Sequence, residues 1–292
     1  MPRYKLTIAY DGTDFCGWQK QEPLLEHAEG TGSMKHVEES LEAGEPGRVA
    51  LRTVQAVVEK AVREVVREPV ILFGASRTDS GVHARGQVAA FTTTDDPAQL
   101  ARGSGWPVER GTDPLLRALN GRLPDDVLVT AIEAVDAAFD PVGDCTGKGY
   151  SYTIHASRTR PLWDRRYVQQ VWDVLDLSRM QEAAAVLIGE HDFAAFVAAG
   201  HGRQTTVRTV YSCSVSDVTP PDLAAGTRLR IDISGNGFLW NMVRIVAGTL
   251  VEAGKGRLTC DDIREALRTG DRRKGGPTLP PAGLCLEWVR YT

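Results

Sequence analysis

Gly74-Ala75-Ser76-Arg77-Thr78-Asp79-Ser80-Gly81-Val82-His83-Ala84 packs an arginine, a carboxylate, two glycines and a histidine into eleven residues. Val70-Ile71-Leu72-Phe73 before it is an apolar run that reads as a short buried strand. Gln87-Val88-Ala89-Ala90-Phe91-Thr92 after it reads as a second strand. Charged groups on a glycine-broken loop between two apolar strands are held by a rigid scaffold yet stay open to a ligand. Arg77 and Asp79 stand two apart, so in extended chain they point to one side. A guanidinium beside a carboxylate keeps it ionised and orients it, and such a carboxylate serves as nucleophile or general base. A structural ion pair at a turn is the simpler account of an isolated R-x-D-x-G, so the case rests on its surroundings.

Working outward, Tyr4 to Tyr10 alternates as a strand and ends in the turn former Asp11-Gly12, followed by Phe15-Cys16-Gly17-Trp18-Gln19. Residues 22–48 are rich in glutamate and read as a mobile, solvated acidic insertion. Val54, Val57, Val58, Ala61, Val62, Val65 and Val66 recur at helical spacing, and Arg67-Glu68-Pro69 stops that helix. A polar stretch over 97–113 leads to a short helix at 115–119 and a strand at 127–132. Beyond a boundary near 135/136 the spacing predicts a strand at 150–155, a helix at 177–187 and strands at 209–215 and 229–233. Two helices, running from Met242 through Leu250 and over 260–267, and a closing strand at 284–289 complete it. Both halves, 1–135 and 136–292, mix antiparallel strands with one or two helices. The fold class expected is α+β, two similar α/β halves with mixed, mainly antiparallel sheets joined into one central sheet.

The chain has 292 residues, 42% hydrophobic and 25% charged, which suits a globular protein with a sizeable core. No apolar run is long enough to span a bilayer, and the first residues lead into a strand with no signal-peptide pattern. Five scattered cysteines without C-x-x-C argue against a zinc site or disulfide framework and suit a reducing cytoplasm. A net charge of −4 does not mark the whole chain as a nucleic-acid binder, but a local basic patch can steer RNA. The densest basic stretch surrounds Tyr150-Ser151-Tyr152, with Lys148, Arg158, Arg160, Arg165 and Arg166. Cations interleaved with aromatics suit phosphate contact plus base stacking; a solvated edge strand would look similar. His191-Asp192 reads as a cap or turn.

The blocks Tyr10-Asp11-Gly12, Phe15, Gly17-Trp18-Gln19, Thr53-Val54-Gln55, Arg77 to Ala84 and Gly86-Gln87-Val88 together resemble the tRNA pseudouridine synthase A family. Asn120 with Leu123-Pro124, Tyr150-Ser151-Tyr152, Leu187-Gly189-His191-Asp192-Phe193, Asn236-Gly237-Phe238 and Met242-Val243-Arg244 continue the likeness in family order. That resemblance implies two halves sharing a central sheet with a basic cleft between them. It implies a homodimer that isomerises uridine at positions 38–40 of the anticodon stem-loop of tRNA, without metal or organic cofactor. Asp79 matches the aspartate that attacks the nucleotide, at ribose C1′ or at C6 of the base. Arg77 matches the arginine paired with it, which helps hold the flipped site open. Tyr150 matches the tyrosine that stacks on uracil and is a candidate to take the C5 proton. Arg244 matches a second-half arginine near the carboxylate, and Lys148, where arginines are common, joins the substrate-binding set.

The chain departs from the family pattern in the 22–48 insertion, in an extended 97–113 stretch and in Asp140-Pro141-Val142-Gly143-Asp144. These remove positive charge near the expected RNA path and bear on substrate range more than on the reaction. Three rivals are weighed. A catalytically inactive RNA-binding relative of the same fold is opposed by intact Arg77, Asp79 and Tyr150. A phosphate hydrolase on Asp11-Gly12-Thr13-Asp14 lacks a D-x-D or phosphate loop. A glycoside hydrolase lacks a second carboxylate placed with Asp79.

Overall fold

Strand β1, Arg3–Tyr10, alternates between buried and half-buried positions as its sequence alternates, so Tyr4, Leu6, Ile8 and Tyr10 face the core. The structure is a computed structural model that describes residues 1–30, 37, 46–198 and 204–292. It divides into two compact units, Met1–Cys145 with Tyr291–Thr292, and Thr146–Arg290.

In the first unit β1 is followed by a short helix α1, Leu25–Gly30, and by α2, Val54–Val66. Then come β2, Phe73–Gly74, β3, His83–Thr92, α3, Pro97–Ala101, α4, Thr112–Asn120, and β4, Val127–Val135. β1 lies between β3 and β4, antiparallel to both, and β2 pairs with β3. Thr53 caps α2 through a bond from Ala56 N–H, and Arg67 closes it in the left-handed region at φ 56°. Val54, Val58, Ala61, Val62 and Val66 form the buried stripe.

Three expectations change here. Val70-Ile71-Leu72-Phe73 is no buried strand: Val70 and Leu72 are inside, while Ile71 is 60% and Phe73 52% exposed, and only Phe73–Gly74 joins the sheet. The 97–113 stretch is more than a polar connector, because it delivers a buried Trp106 whose carbonyl accepts from Tyr4 Oη at 2.9 Å and whose ring lies under Arg110. Of the acidic segment, 31–36 and 38–45 lie outside the described residues. What is described includes α1 with a buried Ala28 and antiparallel bridges Leu24–Arg48 and Val37–Leu51.

The second unit opens with β5, Cys145–Ala156, then β6, Gln169–Val171, α5, Leu177–Val186, and β7, Gly189–Asp192. β8, Val207–Asp217, β9, Thr227–Gly235, α6, Met242–Gly254, α7, Cys260–Thr269, and β10, Leu284–Tyr291, complete it. The strand order is β10-β5-β9-β8-β7; β5–β9, β9–β8 and β8–β7 are antiparallel, and β6 runs parallel to the end of β5. Residues 245–251 of α6 are all buried, which explains the nearly uniform apolar sequence of that helix. Each unit is thus a mixed α/β layer on a mostly antiparallel sheet, in line with the class expected from the sequence.

Candidate active site

The loop from Ser76 to Val82 is fixed by bonds that its sequence neighbours alone would not supply. Gln87, fully buried on β3, accepts from Ser76 N–H (3.2 Å) and Val88 N–H (3.1 Å) and donates to Ser76 O (2.6 Å). Thr78 O accepts from Trp18 N–H (3.0 Å), and Thr78 Oγ1 shares a proton with Tyr10 Oη (2.7 Å). Ser80 Oγ donates to Phe15 O (3.0 Å), as does Gly81 N–H (3.3 Å). Gly17, at φ 84°, has no room for a side chain: a Cβ there would lie 2.6 Å from Thr78 O. The segment around Gly17-Trp18 is therefore the outer wall of the loop.

Within this frame Val82 N–H bonds Asp79 O at 3.1 Å and Gly81 takes φ 79°, so the chain turns immediately after Asp79. Asp79 is half-buried and Arg77 exposed. Arg77 enters none of the hydrogen bonds or ion pairs found among the described residues. Burial alternates along this stretch, with Ser76 and Thr78 buried and Arg77 and Asp79 more exposed, as extended chain would place them. His83 is buried, and its Nδ1 accepts from Gly12 N–H at 3.1 Å. The same Nδ1 lies 3.2 Å from Asp11 Oδ1. Both contacts meet at one ring nitrogen, so His83 ties the start of β3 to the Asp11-Gly12 turn. His83 is a structural residue of the loop, and Asp11 is occupied in capping Thr13.

In the second unit Lys148, Tyr150 and Tyr152 lie on one face of β5. Tyr150 is buried, paired through its backbone with Ile233 and packed edge-on against Phe238 at 5.2 Å. Tyr152 Oη donates to Pro280 O at 2.7 Å; burial pushes its phenol up, opposed by the charge of Arg244. Arg244, half-buried in the first turn of α6, is clamped from two sides. Its Nε donates to Leu279 O (2.6 Å) and its Nη1 to Asn241 Oδ1 (2.8 Å). Asn241 occupies the left-handed region at φ 61°, which an asparagine tolerates. Leu279 reaches Arg244 because Pro277 crosses α6 at Gly248, where a Cβ would lie 1.9 Å from Pro277 O.

Sequence reasoning missed this clamp, although Gly275-Gly276-Pro277 and Pro280-Pro281 announce a close crossing. It also assigned no role to Gln87 or to Glu59, a polar residue on the buried stripe of α2. The arginine-rich stretch lies at the surface: Arg158, Arg160, Arg165 and Arg166 are exposed, with Leu162 64% and Trp163 87% exposed among them. Its base is fastened by Arg228 Nη2 to Asp164 Oδ2 (3.0 Å) and by His155 Nε2 with Thr159 O (3.1 Å). Asp192 caps a turn, accepting from Ala194 N–H and Thr206 Oγ1.

A family model described as tRNA pseudouridine synthase matches residues 183–292, the part that carries Arg244 and its clamp. Over its whole length the chain is 37% identical to tRNA pseudouridine synthase A 2 of Clostridium perfringens, all of which is covered. It is 38% identical to tRNA pseudouridine synthase A of Geobacter sulfurreducens and 37% to that of Brevibacillus brevis, again with both chains fully covered. Fold and likeness together define an isomerase acting on uridine in tRNA. The chain belongs to the tRNA pseudouridine synthase A family. Among the described residues, no helix is long and apolar enough to cross a membrane.

Proposed function

We propose that this enzyme converts uridine to pseudouridine at positions 38–40 of the tRNA anticodon stem-loop, with Asp79 as nucleophile. The observation that carries the reading is the loop itself. Asp79 is half-buried at a turn whose neighbours on both sides are tied to Tyr10, Phe15, Trp18 and Gln87, so its carboxylate is held on a rigid support at the edge of solvent. A nucleophile that must meet one carbon needs such a support.

The Asp79 carboxylate attacks C1′ of the target ribose; the C1′–N1 bond breaks and uracil leaves with its electron pair. The base turns, C5 bonds to C1′ and the carboxylate departs. C5 then releases its proton and N1 takes one up, so the product is an isomer of the substrate. Attack at C6 of the base is the other entry to the same exchange and uses the same carboxylate. Tyr150 stacks on the uracil and receives the C5 proton, while Arg77 fills the place left by the flipped base. Arg244 and Lys148 supply positive charge to the reacting nucleotide. The enzyme works as a homodimer in the cytoplasm, and the exposed Arg158–Arg166 stretch contacts the tRNA backbone.

The test is carbodiimide labelling and primer extension on unmodified tRNA, comparing wild type with Asp79→Ala and Asp79→Asn. The expected result is pseudouridine in the anticodon arm with wild type and a rate loss of roughly 10³-fold or more in both variants. Retained activity in a folded Asp79→Ala protein would remove Asp79 from its role. Modification outside the anticodon arm would overturn the site.

A further inference from the structure

Val70-Ile71-Leu72 leads into the Asp79 loop, and among the described residues it pairs with no strand; pairing with β3 begins only at Phe73. Its backbone groups bond instead to one face of α2. Gln55 Nε2 donates to Leu72 O (2.8 Å), Glu59 Oε2 accepts from Leu72 N–H (3.0 Å), and Arg63 Nε donates to Val70 O (2.8 Å). Residues 55, 59 and 63 are four apart, one above another on a helix. A ladder of three side chains stands where a neighbouring strand would be.

Glu59 is a buried carboxylate, its side chain 4% exposed, and its charge is compensated: the other oxygen meets Arg63 Nη2 (2.8 Å) and Lys20 Nζ (3.2 Å). Gln55 Oε1 accepts from Lys20 N–H (2.9 Å), while the first N–H groups of α2 donate to Gly17 O (3.2 Å) and Trp18 O (3.0 Å). One helix thus holds both the leg that enters the loop and the outer wall behind it.

The need for such a ladder lies in the sequence of the leg. All four residues Val70-Ile71-Leu72-Phe73 are apolar, so a slip of one residue would bury Ile71 and Phe73 in place of Val70 and Leu72 at little hydrophobic cost. The same slip would move the loop by about 3.3 Å. Hydrophobic pattern does not choose the register of this leg; hydrogen bonds do, from α2 at Val70 and Leu72 and from β3 beyond Phe73. We infer that Gln55, Glu59 and Arg63 are positioning residues, which lock the register of Val70–Leu72 and thereby place Asp79. The inference rests on the reading of Asp79 as nucleophile.

The experiment compares Glu59→Ala and Glu59→Gln in the full chain, with Asp79→Ala alongside, by single-turnover rate, tRNA Kd and hydrogen exchange at the Leu72 amide. Glu59→Ala removes the acceptor for Leu72 N–H. It should speed Leu72 exchange and slow the chemical step by roughly 30- to 100-fold, with Kd within about twofold. Glu59→Gln keeps an acceptor oxygen and should stay within about fivefold of wild type in rate and near it in exchange. A folded Glu59→Ala protein with wild-type rate and exchange overturns the inference. So does equal damage by Gln and Ala, which would assign the effect to the ion pairs. If Glu59→Ala does not fold, Arg63→Met removes only the Val70 bond and one ion pair, and should slow the chemical step several-fold without weakening tRNA binding. An active Asp79→Ala protein would defeat the nucleophile reading alone, because Leu72 exchange still reports on the ladder.

Discussion

Gln87 shows how much one side chain inside a strand can decide. A fully buried amide in an otherwise apolar run is costly unless every polar atom is met, and here its oxygen takes two N–H groups while its nitrogen serves Ser76 O. Its sequence position places it on β3 but says nothing of the partner eleven residues back. Gln87→Leu preserves bulk and leaves both backbone groups of Ser76 unmet. We expect a loss of roughly 2–4 kcal/mol in urea unfolding, together with a fall in kcat larger than the change in tRNA Kd. A Gln87→Leu enzyme with unaltered kcat would show that the loop holds its shape without this brace.

Among the elements, α7 carries the clearest electrostatic signature. Thr259 and Asp262 form a capping box at its start and Gly270 ends it in the left-handed region at φ 66°. Glu265 is bonded by Arg268 and then Lys274, which hold its carboxyl down from 4.5 to about 2. Arg273 does the same for Asp271 just beyond the helix, from 3.8 to about 2. A carboxylate whose folded value is depressed stabilises above its ordinary titration range and loses that contribution as pH falls towards the folded value. Amide protection across α7 and the turn after it, taken relative to the intrinsic exchange rate at each pH, should therefore fall between about pH 4.5 and 2. Glu265→Gln with Asp271→Asn should flatten that dependence. Both groups meet solvent, so high salt should weaken the effect as well. An unchanged pH profile in the double variant would mean that these pairs contribute nothing.

At the scale of the molecule the net charge of −4 conceals a local excess of cations. Arg158, Arg160, Arg165 and Arg166 are exposed within nine residues, while Asp164 among them is held by Arg228. Replacing Arg158 and Arg160 by alanine should weaken tRNA binding similarly for different tRNAs. It should also lower the slope of log K against log salt by roughly 1–2, with the single-turnover rate at saturation unchanged. A salt slope identical to wild type would place the RNA elsewhere on the surface.

Much of this was legible in the amino-acid sequence. Periodicity marked β1, α2, β3, α4 and β4, then β5, α5, β8, β9, α6, α7 and β10 but neither β6 nor β7, because each marked element buries one face and its apolar residues must recur at the element's own repeat. Ordered motifs across the chain identified the family, and with it the residues offered for catalysis. Four apolar residues in a row do not state which two face inward, so the Val70–Phe73 leg was beyond reading. The backbone groups of Leu72, met by no strand but by the side chains of Gln55 and Glu59, bear on it together with the pairing of Phe73 to β3. Arg244 likewise carried no sign that Leu279, thirty-five residues on, would orient it. Hydrophobic pattern is local and repeats along the chain, whereas a buried polar atom finds its partner by proximity after folding, and only the tertiary structure brings the two together.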